Sequence, residues 1–344
     1  MTLRILLASA GRRNYLVEWF KRALAAEDVP GQILVGDCSP DVPAQYSSDG
    51  LILLPRVNDP NYGQEIALLC QEHAIDLALS LNDYENSLWS ELGLARISGP
   101  TKFICLPPAV QTVLEDKLLT YYALAAAGLN VPLTVSAFDI LYGSKSASAL
   151  GERIIIKNRY GSGSFGLLLS NIGDLSRDLE TSLARVRDVR GREVLRREQA
   201  AHAVVLQRYV RGREYGVDVI NDFHADFAGV LARKKIVMRD GETASATTVS
   251  AAEFEDTARA LAHFAQHRGL MDTDIICDDE GKQWLIDVNP RFGGGYPFSH
   301  FAGADVPRAY VRWAEGKSVA TEDLLSYTAG VTSHKTFSIV GERS

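Results

Sequence analysis

One segment near the end of the chain, residues 283–291, constrains the fold most strongly. It reads Gln-Trp-Leu-Ile-Asp-Val-Asn-Pro-Arg, and its apolar residues predict a strand that ends at Pro290, which has no N–H group to offer a sheet. Side chains two residues apart on a strand point to the same face. Asp287, Asn289 and Arg291 should therefore converge on one ligand. An acid, an amide and a guanidinium on one face indicate a site for a metal ion and a phosphate.

The residues between and after these three predict which face of the strand is buried and how closely the backbone approaches a ligand. Ile286 and Val288 alternate with the polar set, so we expect both to face an apolar interior. Three consecutive glycines follow at 293–295. Because they lack side chains, we expect them to let the backbone approach a ligand closely.

A second acid lies upstream, at Asp274. Residues 274–277 and 283–287 are strand-like and are joined by the polar turn 278–281, so a hairpin should set Asp274 close to opposite Asp287. Two neighbouring carboxylates repel unless a cation lies between them, and hard oxygen ligands suit Mg²⁺. An exposed hairpin with solvated acids is the alternative, but such a hairpin would not need the adjoining amide, guanidinium and glycines.

The first third of the chain alternates strand-like segments (4–8, 32–36, 77–81) with helix-like ones (15–26, 64–73). This βαβ order predicts a parallel sheet covered by helices.

The turn after the first strand reads Ser9-Ala-Gly-Arg-Arg-Asn14, with only one of the three glycines of a dinucleotide-binding turn. Nicotinamide or flavin binding is therefore disfavoured. Arg12 and Arg13 at a helix start are candidates to hold an anionic substrate instead.

A glycine-rich segment, residues 161–166, fits the pattern G-x-G-x-x-G. A Rossmann turn would open a helix, but the following residues 167–170 are strand-like, so we expect a hairpin loop. The backbone N–H groups of such a loop can fold over a triphosphate. A flexible surface turn is the alternative, and Lys157 at the end of the preceding strand favours the phosphate.

A pair of strands is expected at 204–210 and 214–220. A nucleotide lying across this edge would meet the backbone of Tyr209 and Val210 with its base, and Glu214 with its ribose. The alternation of polar and apolar residues is equally well explained by a half-buried strand.

Composition narrows the possible partners. The formal charge of −7 and the pI near 5.6 argue against nucleic acid. The four cysteines form no C-x-x-C pair, and no run of about 18 apolar residues is present for a membrane span. We therefore expect a reduced, cytoplasmic setting and no membrane partner.

Five segments together resemble the ATP-grasp superfamily: Asp116-Lys117, Ile156-Lys157, the glycine hairpin, residues 207–218 and Asp287-Val-Asn-Pro-Arg291. The chain looks most similar to stand-alone proteins that resemble one half of the carbamoyl-phosphate synthase large subunit. The resemblance implies an α/β protein with the ATP-grasp fold. It implies an N-terminal Rossmann-like pre-ATP-grasp domain (1–112), a lid subdomain with the glycine hairpin (113–203) and a C-terminal subdomain with the metal and phosphate site (204–344).

The resemblance also implies roles for individual residues. ATP and Mg²⁺, with Mn²⁺ as an alternative, would be the cofactors. The expected nucleotide contacts are Lys117, Lys157, Gly161, Ser162, Gly163, Ser164, Gln207, Tyr209, Val210 and Glu214. The expected metal ligands are Asp274, Asp287 and Asn289, and the expected catalytic residues are Arg291, Lys157 and Asn289. The family usually has Glu at the position of Asp287 and Glu or Gln at that of Asp274. Aspartate still ligates magnesium, and both one and two bound metal ions are compatible with the resemblance.

These inferences predict an ATP-dependent carboxylate–amine ligase that works through an acyl phosphate, with small-molecule acid and amine substrates and a homodimer as the assembly. Alternatives are a bicarbonate-activating or carboxylating enzyme and a non-catalytic ATP-binding module. An ordinary surface or packing role is the alternative for each of the candidates for the acceptor pocket, which are Arg12, Arg13, Asn82, Asp83, Glu85, Arg233, Lys235, Tyr296, Ser299 and His300.

Overall fold

The structure is a computed structural model. It describes residues 2–94, 99–143, 145–161, 166–186, 195–239, 241–336 and 338–341.

A parallel five-stranded sheet forms the N-terminal part of the fold, in the order β3-β2-β1-β4-β5. Its strands are nearly continuous apolar runs, as expected for strands buried on both faces. The strands are β1 (Leu3–Ala8), β2 (Gly31–Asp37), β3 (Gly50–Leu53), β4 (Leu77–Ser80) and β5 (Lys102–Ile104). The accompanying helices are α1 (Asn14–Ala26), α2 (Tyr62–Glu72) and α3 (Asp83–Glu91). The prediction of a βαβ parallel sheet is confirmed.

Two short helices, α4 (Pro108–Leu114) and α5 (Lys117–Ala126), connect this sheet to the next. The sequence predicts one helix from about Leu114 that carries Asp116 and Lys117 and stops at Gly128. Instead, the Asp116 carboxylate accepts hydrogen bonds from the N–H groups of Leu118 (2.9 Å) and Leu119 (3.2 Å) and so begins α5 as its N-cap.

A four-stranded antiparallel sheet follows, in the order β6-β9-β7-β8. Its elements are β6 (Thr134–Ser136), α6 (Ala137–Leu141), β7 (Arg153–Asn158), β8 (Leu168–Asn171), α7 (Leu175–Arg185), α8 (Arg197–His202) and β9 (Val204–Arg208). The highly charged sequence over 174–200 predicts a helix, but α7 ends at Arg185 and Val186 is extended, so the prediction is wrong at this point. The strand β9 belongs to this sheet although it follows the boundary placed at 203, and the three-domain division stays a prediction.

A six-stranded antiparallel sheet carries the C-terminal part, in the order β14-β13-β10-β11-β12-β15. Its strands are β10 (Gly212–Asn221), β11 (Phe227–Arg239), β12 (Glu242–Val249), β13 (Gly269–Asp278), β14 (Gln283–Asn289) and β15 (Thr332–His334). The helices are α9 (Glu255–Ala265), α10 (Tyr296–Phe301), α11 (Val306–Ala314) and α12 (Thr321–Leu324). The hairpin of β11 and β12 was not anticipated from the sequence.

The first and third sheets share a hydrophobic core. Phe20 of α1 packs edge-to-face on Phe292 and Tyr310, with ring centroids 6.1 and 6.0 Å apart. Aromatic contacts of this kind add to the free energy gained by burying apolar area. The shared core therefore brings the turn after β1 close to the end of β14.

Candidate active site

A cleft of about 380 Å³ lies between the four-stranded and six-stranded sheets. It brings together most of the residues expected to contact a nucleotide: Lys117, Lys157, Gly161, Gln207, Tyr209, Val210 and Glu214, with Asp274 and Asp287 at one end. A second, polar cavity of about 300 Å³ adjoins it and is lined by Asn289 and Arg291. Asp274 and Asp287 line both spaces. Ser162, Gly163 and Ser164 lie outside the described residues.

Lys157 is a buried cation in the wall of the cleft, only 8% exposed. Its Nζ donates to Gln207 Oε1 at 2.9 Å and to the carbonyl of Ile286 at 3.4 Å. Burial and the positive charge of Lys117 together lower the pKa of Lys157 to about 8, while the carboxylates of Asp287 and Asp274 oppose them. Lys117 itself donates to the carbonyl of Gly161 at the base of the glycine segment. Two ammonium groups that bond to neutral oxygens therefore face one end of the cleft, as a polyphosphate site requires.

The predicted pairing of the two acids is confirmed, because Asp274 lies directly opposite Asp287 in the hairpin of β13 and β14. Lys235 Nζ contacts both Asp274 and Glu214 at 2.6 Å. Asn289 Nδ2 donates to Asp287 Oδ2 at 3.1 Å. Burial raises the pKa of Asp274, and the charges of Asp272 and Asp287 raise it further while Lys235 opposes them. A cation at this position would relieve that repulsion.

The residues fit a magnesium ion that also contacts a phosphate. Within the described ranges no three His, Cys, Asp or Glu residues gather around one point. Asp274 and Asp287 with the amide of Asn289 make a smaller set, and Mg²⁺ is commonly held by one or two carboxylates together with waters and substrate phosphates. The remaining ligands would then come from the nucleotide.

A β-bulge corrects the expected alternation along β14. Asp274 pairs with Asp287, but the next residue, Ile275, pairs with Leu285, so Ile286 is an extra residue. Leu285 and Val288 lie in the hydrophobic core, whereas Ile286 lines the cleft. The expectation that Ile286 faces the interior is wrong, because Ile286 lines the cleft beside Asp287 at the bulge.

Arg291 forms an ion pair with the N-terminal domain. Its Nε and Nη2 donate to Asp83 Oδ1 at 2.6 Å and Oδ2 at 2.8 Å. Burial alone would lower the pKa of Arg291, but the Asp83 carboxylate raises it overall. The guanidinium is therefore held, charged and oriented, at the wall of the second cavity beside Asn289.

The glycine run serves a buried ion-pair cluster. Arg233 is 1% exposed and donates to Asp218 at 2.5 and 3.1 Å and to Asp272 at 2.9 Å. A Cβ atom at Gly295 would lie 2.1 Å from the Arg233 guanidinium, and one at Gly293 would lie 2.1 Å from the Asp272 carboxylate. The expectation that all three glycines serve a ligand is therefore wrong. Two of them make room for this Asp218–Arg233–Asp272 triad.

We expect Gly295→Ala to destabilise the protein by about 1–3 kcal/mol, because the buried guanidinium must shift and lose hydrogen bonds. Gly294→Ala is the matched control: a Cβ there would lie 3.3 Å from the Nζ of Lys335, at the end of a flexible side chain. Urea unfolding of both variants measures the difference. Equal free energies of unfolding would contradict the steric role of Gly295.

The expected acceptor-pocket residues separate into two groups. Arg13, Asn82, Asp83, Arg233 and Lys235 line the second cavity, whereas Arg12, Glu85, Tyr296, Ser299 and His300 do not.

The residues that do not line this cavity lie elsewhere in the fold, and Arg12 is exposed. Glu85 is buried and accepts hydrogen bonds from Ser9, Tyr62 and Ser80. Tyr296 and Ser299 are buried. The ring of His300 stacks on Trp19 at 3.8 Å. The surface and packing positions of these residues agree with the alternative of an ordinary structural role.

Sequence reasoning missed Asp272 and Glu242, which also line the second cavity. Asp272 stands two residues before Asp274 on β13, and this spacing of two was a usable signal that both face the same side. Glu242 gave no such signal, because its strand was not recognised.

Comparison with known proteins agrees with this architecture. Residues 5–94 match the family model described as PylC-like, N-terminal domain. Residues 114–295, more than half of the chain, match the model described as ATP-grasp domain.

Solved structures show the same fold at low sequence identity. N5-carboxyaminoimidazole synthetase from Staphylococcus aureus is 15% identical with a TM-score of 0.67, over 93% of this chain and 79% of that one. Biotin carboxylase from Campylobacter jejuni is 15% identical with a TM-score of 0.73, over 96% and 74%. The biotin carboxylase domain dimer of Hydrogenobacter thermophilus 2-oxoglutarate carboxylase, solved with MgADP, ADP and bicarbonate, is 16% identical with a TM-score of 0.73, over 94% and 72%.

The prediction of ATP and Mg²⁺ as cofactors agrees with the MgADP and ADP bound in that carboxylase domain. Among the described residues, none of the helices has the length and apolar character needed to cross a bilayer. A parallel sheet precedes two antiparallel sheets, the domain model matches from Leu114 onward, and the overall fold is that of the solved relatives. The expected fold class is confirmed, and the chain belongs to the ATP-grasp family.

Proposed function

We propose that the protein is an ATP-dependent carboxylate–amine ligase that forms an amide through an acyl phosphate and releases ADP and phosphate. One observation carries the proposal: the nucleotide cleft and the polar second cavity meet at Asp274 and Asp287. A terminal phosphate at this junction is in reach of whatever occupies the second cavity. Phosphoryl transfer needs little covalent chemistry from a protein beyond such positioning and charge neutralisation.

The cleft suits ATP along its whole length. Apolar side chains including Ile155 and Ile286 line it around the backbone of Tyr209 and Val210, an environment for a purine base. In this proposal Glu214 would bind the ribose hydroxyls, Lys117 and Lys157 would bind the phosphates, and Asp274, Asp287 and Asn289 would hold magnesium. The metal, when bound, supplies a Lewis acid that offsets the charge of the phosphates.

The second cavity offers a place for the acid substrate. Arg13 lines it and donates to the carbonyls of Leu81 (3.1 Å) and Phe292 (3.4 Å). In the described part of the chain no carboxylate lies within 4.0 Å of its guanidinium, whereas Arg233, Lys235 and Arg291 all have carboxylate partners. Burial lowers the pKa of Arg13, but an arginine stays charged at neutral pH. Arg13 is therefore the cation best placed to bind an anionic substrate.

The proposed reaction balances as follows. A carboxylate oxygen of the acid attacks the γ-phosphorus, the bond to the β-phosphate oxygen breaks, and ADP leaves. The amine, after losing one proton, attacks the acyl carbon, the acyl carbon–oxygen bond breaks, and phosphate leaves. The nitrogen loses a second proton, one proton remains on the phosphate, and the other goes to water. Arg291 would neutralise the phosphoryl group during transfer.

A bicarbonate-dependent reaction is the second candidate, because one of the solved relatives was crystallised with bicarbonate. The size of the second cavity, about 300 Å³, favours a larger organic acid. Binding sites of this size take drug-sized or metabolite-sized ligands.

The test is a screen for ADP release with Mg-ATP across amino acids and small carboxylates, each with and without amines, and with mass detection of the product. Bicarbonate alone is a separate arm. ADP release that requires an organic acid and an amine, with an amide of the expected mass, supports the ligase. ADP release with bicarbonate alone supports the carboxylating alternative, and nucleotide binding without any ADP release supports a non-catalytic module.

Lys157 should make nucleotide binding depend on pH. Its pKa of about 8 means that it is charged below that pH and neutral above it. A polyphosphate favours the charged form, so binding above about pH 8 must take up a proton, and the affinity for Mg-ATP should fall as the pH rises. Calorimetry in buffers of different ionisation enthalpy measures the uptake. Lys157→Arg stays charged and should lose the effect, whereas equal proton uptake by both proteins would refute the assignment.

A homodimer is also proposed, since the biotin carboxylase domain of the Hydrogenobacter thermophilus relative was solved as a dimer. Light scattering after size-exclusion chromatography tests it. A mass of twice 37.6 kDa supports the dimer, and a mass of 37.6 kDa refutes it.

A further inference from the structure

Glu85, in the first turn of α3, is a buried carboxylate that the proposed reaction does not use. It is 2% exposed and accepts hydrogen bonds from the hydroxyl groups of Ser9 (2.9 Å), Ser80 (2.5 Å) and Tyr62 (2.5 Å). Burial raises the pKa of Glu85, and these hydrogen bonds oppose the shift. Among the described residues no basic side chain forms an ion pair with it. A carboxyl group without a cation is costly to bury, so the three hydroxyl groups are needed to hold it in place.

The three hydroxyl groups come from different segments of the N-terminal part of the fold. Ser9 directly follows β1, Ser80 ends β4 and Tyr62 begins α2. The strands β1 and β4 are parallel neighbours, and Ala8 pairs with Ser80 where both strands end. Glu85 therefore ties two adjacent strands together at their carboxyl ends, the edge at which open α/β sheets bind ligands.

The same two strand ends determine where the guanidinium of Arg13 lies. Arg13 belongs to the turn that begins at Ser9. Its Nη1 donates at 3.1 Å to the carbonyl of Leu81, the residue that follows Ser80. Glu85 therefore fixes both the backbone that carries Arg13 and the backbone carbonyl that orients its guanidinium.

The backbone of Ser9 shows that this turn depends on its contacts. Ser9 has a φ of 51°, in the left-handed region that is unfavourable for a residue with a side chain. Its N–H donates to the carbonyl of Gly36 at 2.7 Å, and its hydroxyl donates to Glu85. A strained residue persists only where surrounding contacts hold it, and such residues concentrate at functional sites. The hydroxyl of Ser9 is therefore one of the contacts that maintain the turn.

We propose that Glu85, acting through Ser9 and Ser80, positions Arg13 to bind the carboxylate of the acid substrate. The proposal rests on the ligase function and on Arg13 as its acid-binding residue. Glu85 is a positioning residue, since it does not itself line the second cavity. Loss of either serine hydroxyl should release the guanidinium from the Leu81 carbonyl and weaken binding of the acid, without an effect on Mg-ATP.

The first test measures carboxylate binding at Arg13, with sodium propionate as the probe and the protein loaded with Mg-ADP. The NMR signal of the Arg13 Nε–H group, assigned by its absence in Arg13→Lys, reports binding. Sodium chloride at the same ionic strength corrects for the effect of salt. We expect Ser9→Ala and Ser80→Ala each to raise the Kd of propionate at least about fivefold, because a guanidinium that is no longer fixed must be ordered on binding.

Ser90→Ala is the matched control for the two serine variants. It also removes a buried serine hydroxyl from the N-terminal part of the fold, one that donates to the carbonyl of Leu106 near the end of α3. Its Kd for propionate should equal that of the parental protein. Three results would overturn the proposal: equal Kd values in the parental protein and all three variants, an equal rise in Ser90→Ala, or no effect of propionate on the Arg13 signal of the parental protein.

Replacing the shared acceptor tests Glu85 directly. Glu85→Ala should raise the Kd of propionate at least as much as the serine variants do. Adding Ser9→Ala to it should raise the Kd no further, because the hydroxyl has then already lost its acceptor. A further rise in the double variant would mean that Ser9 acts without Glu85 and would overturn the proposal. Thermal unfolding shows whether Glu85→Ala folds, and the two serine variants decide the question if it does not.

The kinetic test uses the acid that gives the highest rate in the screen for ADP release. Ser9→Ala and Ser80→Ala should raise KM for this acid at least about fivefold and leave KM for Mg-ATP unchanged. A role in folding alone would reduce the amount of active protein, so kcat would fall while both KM values stayed parental. ADP release with a parental KM for the acid in both variants would overturn this inference alone. Propionate binding that depends on the two serines, without any ADP release in the screen, would overturn the ligase function alone.

Discussion

Replacing Asp287 with alanine should lower the rate of acid-dependent ADP release by about 10²-fold or more, a loss typical of removing one electrostatic contact to the reacting group. Asp287 lies opposite Asp274 and accepts a hydrogen bond from Asn289. Its removal takes away a proposed metal ligand at the point where the nucleotide cleft and the second cavity meet. The measurement is the rate of ADP release at saturating ATP over a titration of Mg²⁺.

Two further variants serve as controls for the effect of Asp287→Ala. Asp279→Ala removes an acid from the turn of the same hairpin, where the side chain is 81% exposed, and it should keep the parental rate. Asp287→Glu keeps the carboxylate and installs the residue that the family resemblance leads us to expect, so it should retain most of the activity. A parental rate in Asp287→Ala, with the same magnesium dependence, would remove Asp287 from the metal site. Thermal unfolding of each variant checks that the fold is intact.

The acid pair was predictable from the sequence because its geometry is local. A polar turn between two strand-like runs sets the register of a hairpin, and the register fixes which residues face each other. Asp274 and Asp287 follow from this rule alone. The same local reasoning gave the parallel sheet, since the alternation of strands and helices leaves few other arrangements.

The bulge at Ile286 was not predictable, because it depends on one strand having one residue more than its partner. The sequence of neither strand alone indicates that difference. The role of Gly293 and Gly295 was hidden for a related reason. Each makes room for a side chain from another strand, Asp272 from β13 and Arg233 from β11. A glycine that yields space to a distant residue has the same local sequence as a glycine that approaches a ligand.

The second large effect is expected at Arg291, where replacement with alanine should lower kcat for ADP release by about 10²- to 10³-fold. The guanidinium is 11% exposed and stands beside Asn289 in the second cavity. If it neutralises the transferring phosphoryl group, the loss should appear mainly in kcat, because the contact is strongest in the transition state. Arg291→Lys keeps the positive charge but lacks the two parallel N–H donors of a guanidinium. Its kcat should therefore lie between those of the parental protein and Arg291→Ala.

The ion pair with Asp83 offers a competing explanation, in which Arg291 only ties the two domains together. That explanation predicts that Asp83→Ala and Arg291→Ala reduce kcat equally, with no further loss in the double variant. A direct role on the phosphoryl group predicts that Arg291→Ala is at least about tenfold slower than Asp83→Ala, since Asp83→Ala leaves the guanidinium in the cavity. Arg259→Ala, which removes an exposed arginine from α9, is the control for loss of a positive charge. Comparing kcat of Asp83→Ala, Arg291→Ala, the double variant and Arg259→Ala with that of the parental protein therefore distinguishes two roles for Arg291. One is a structural ion pair between domains, and the other is direct contact with the reacting phosphate.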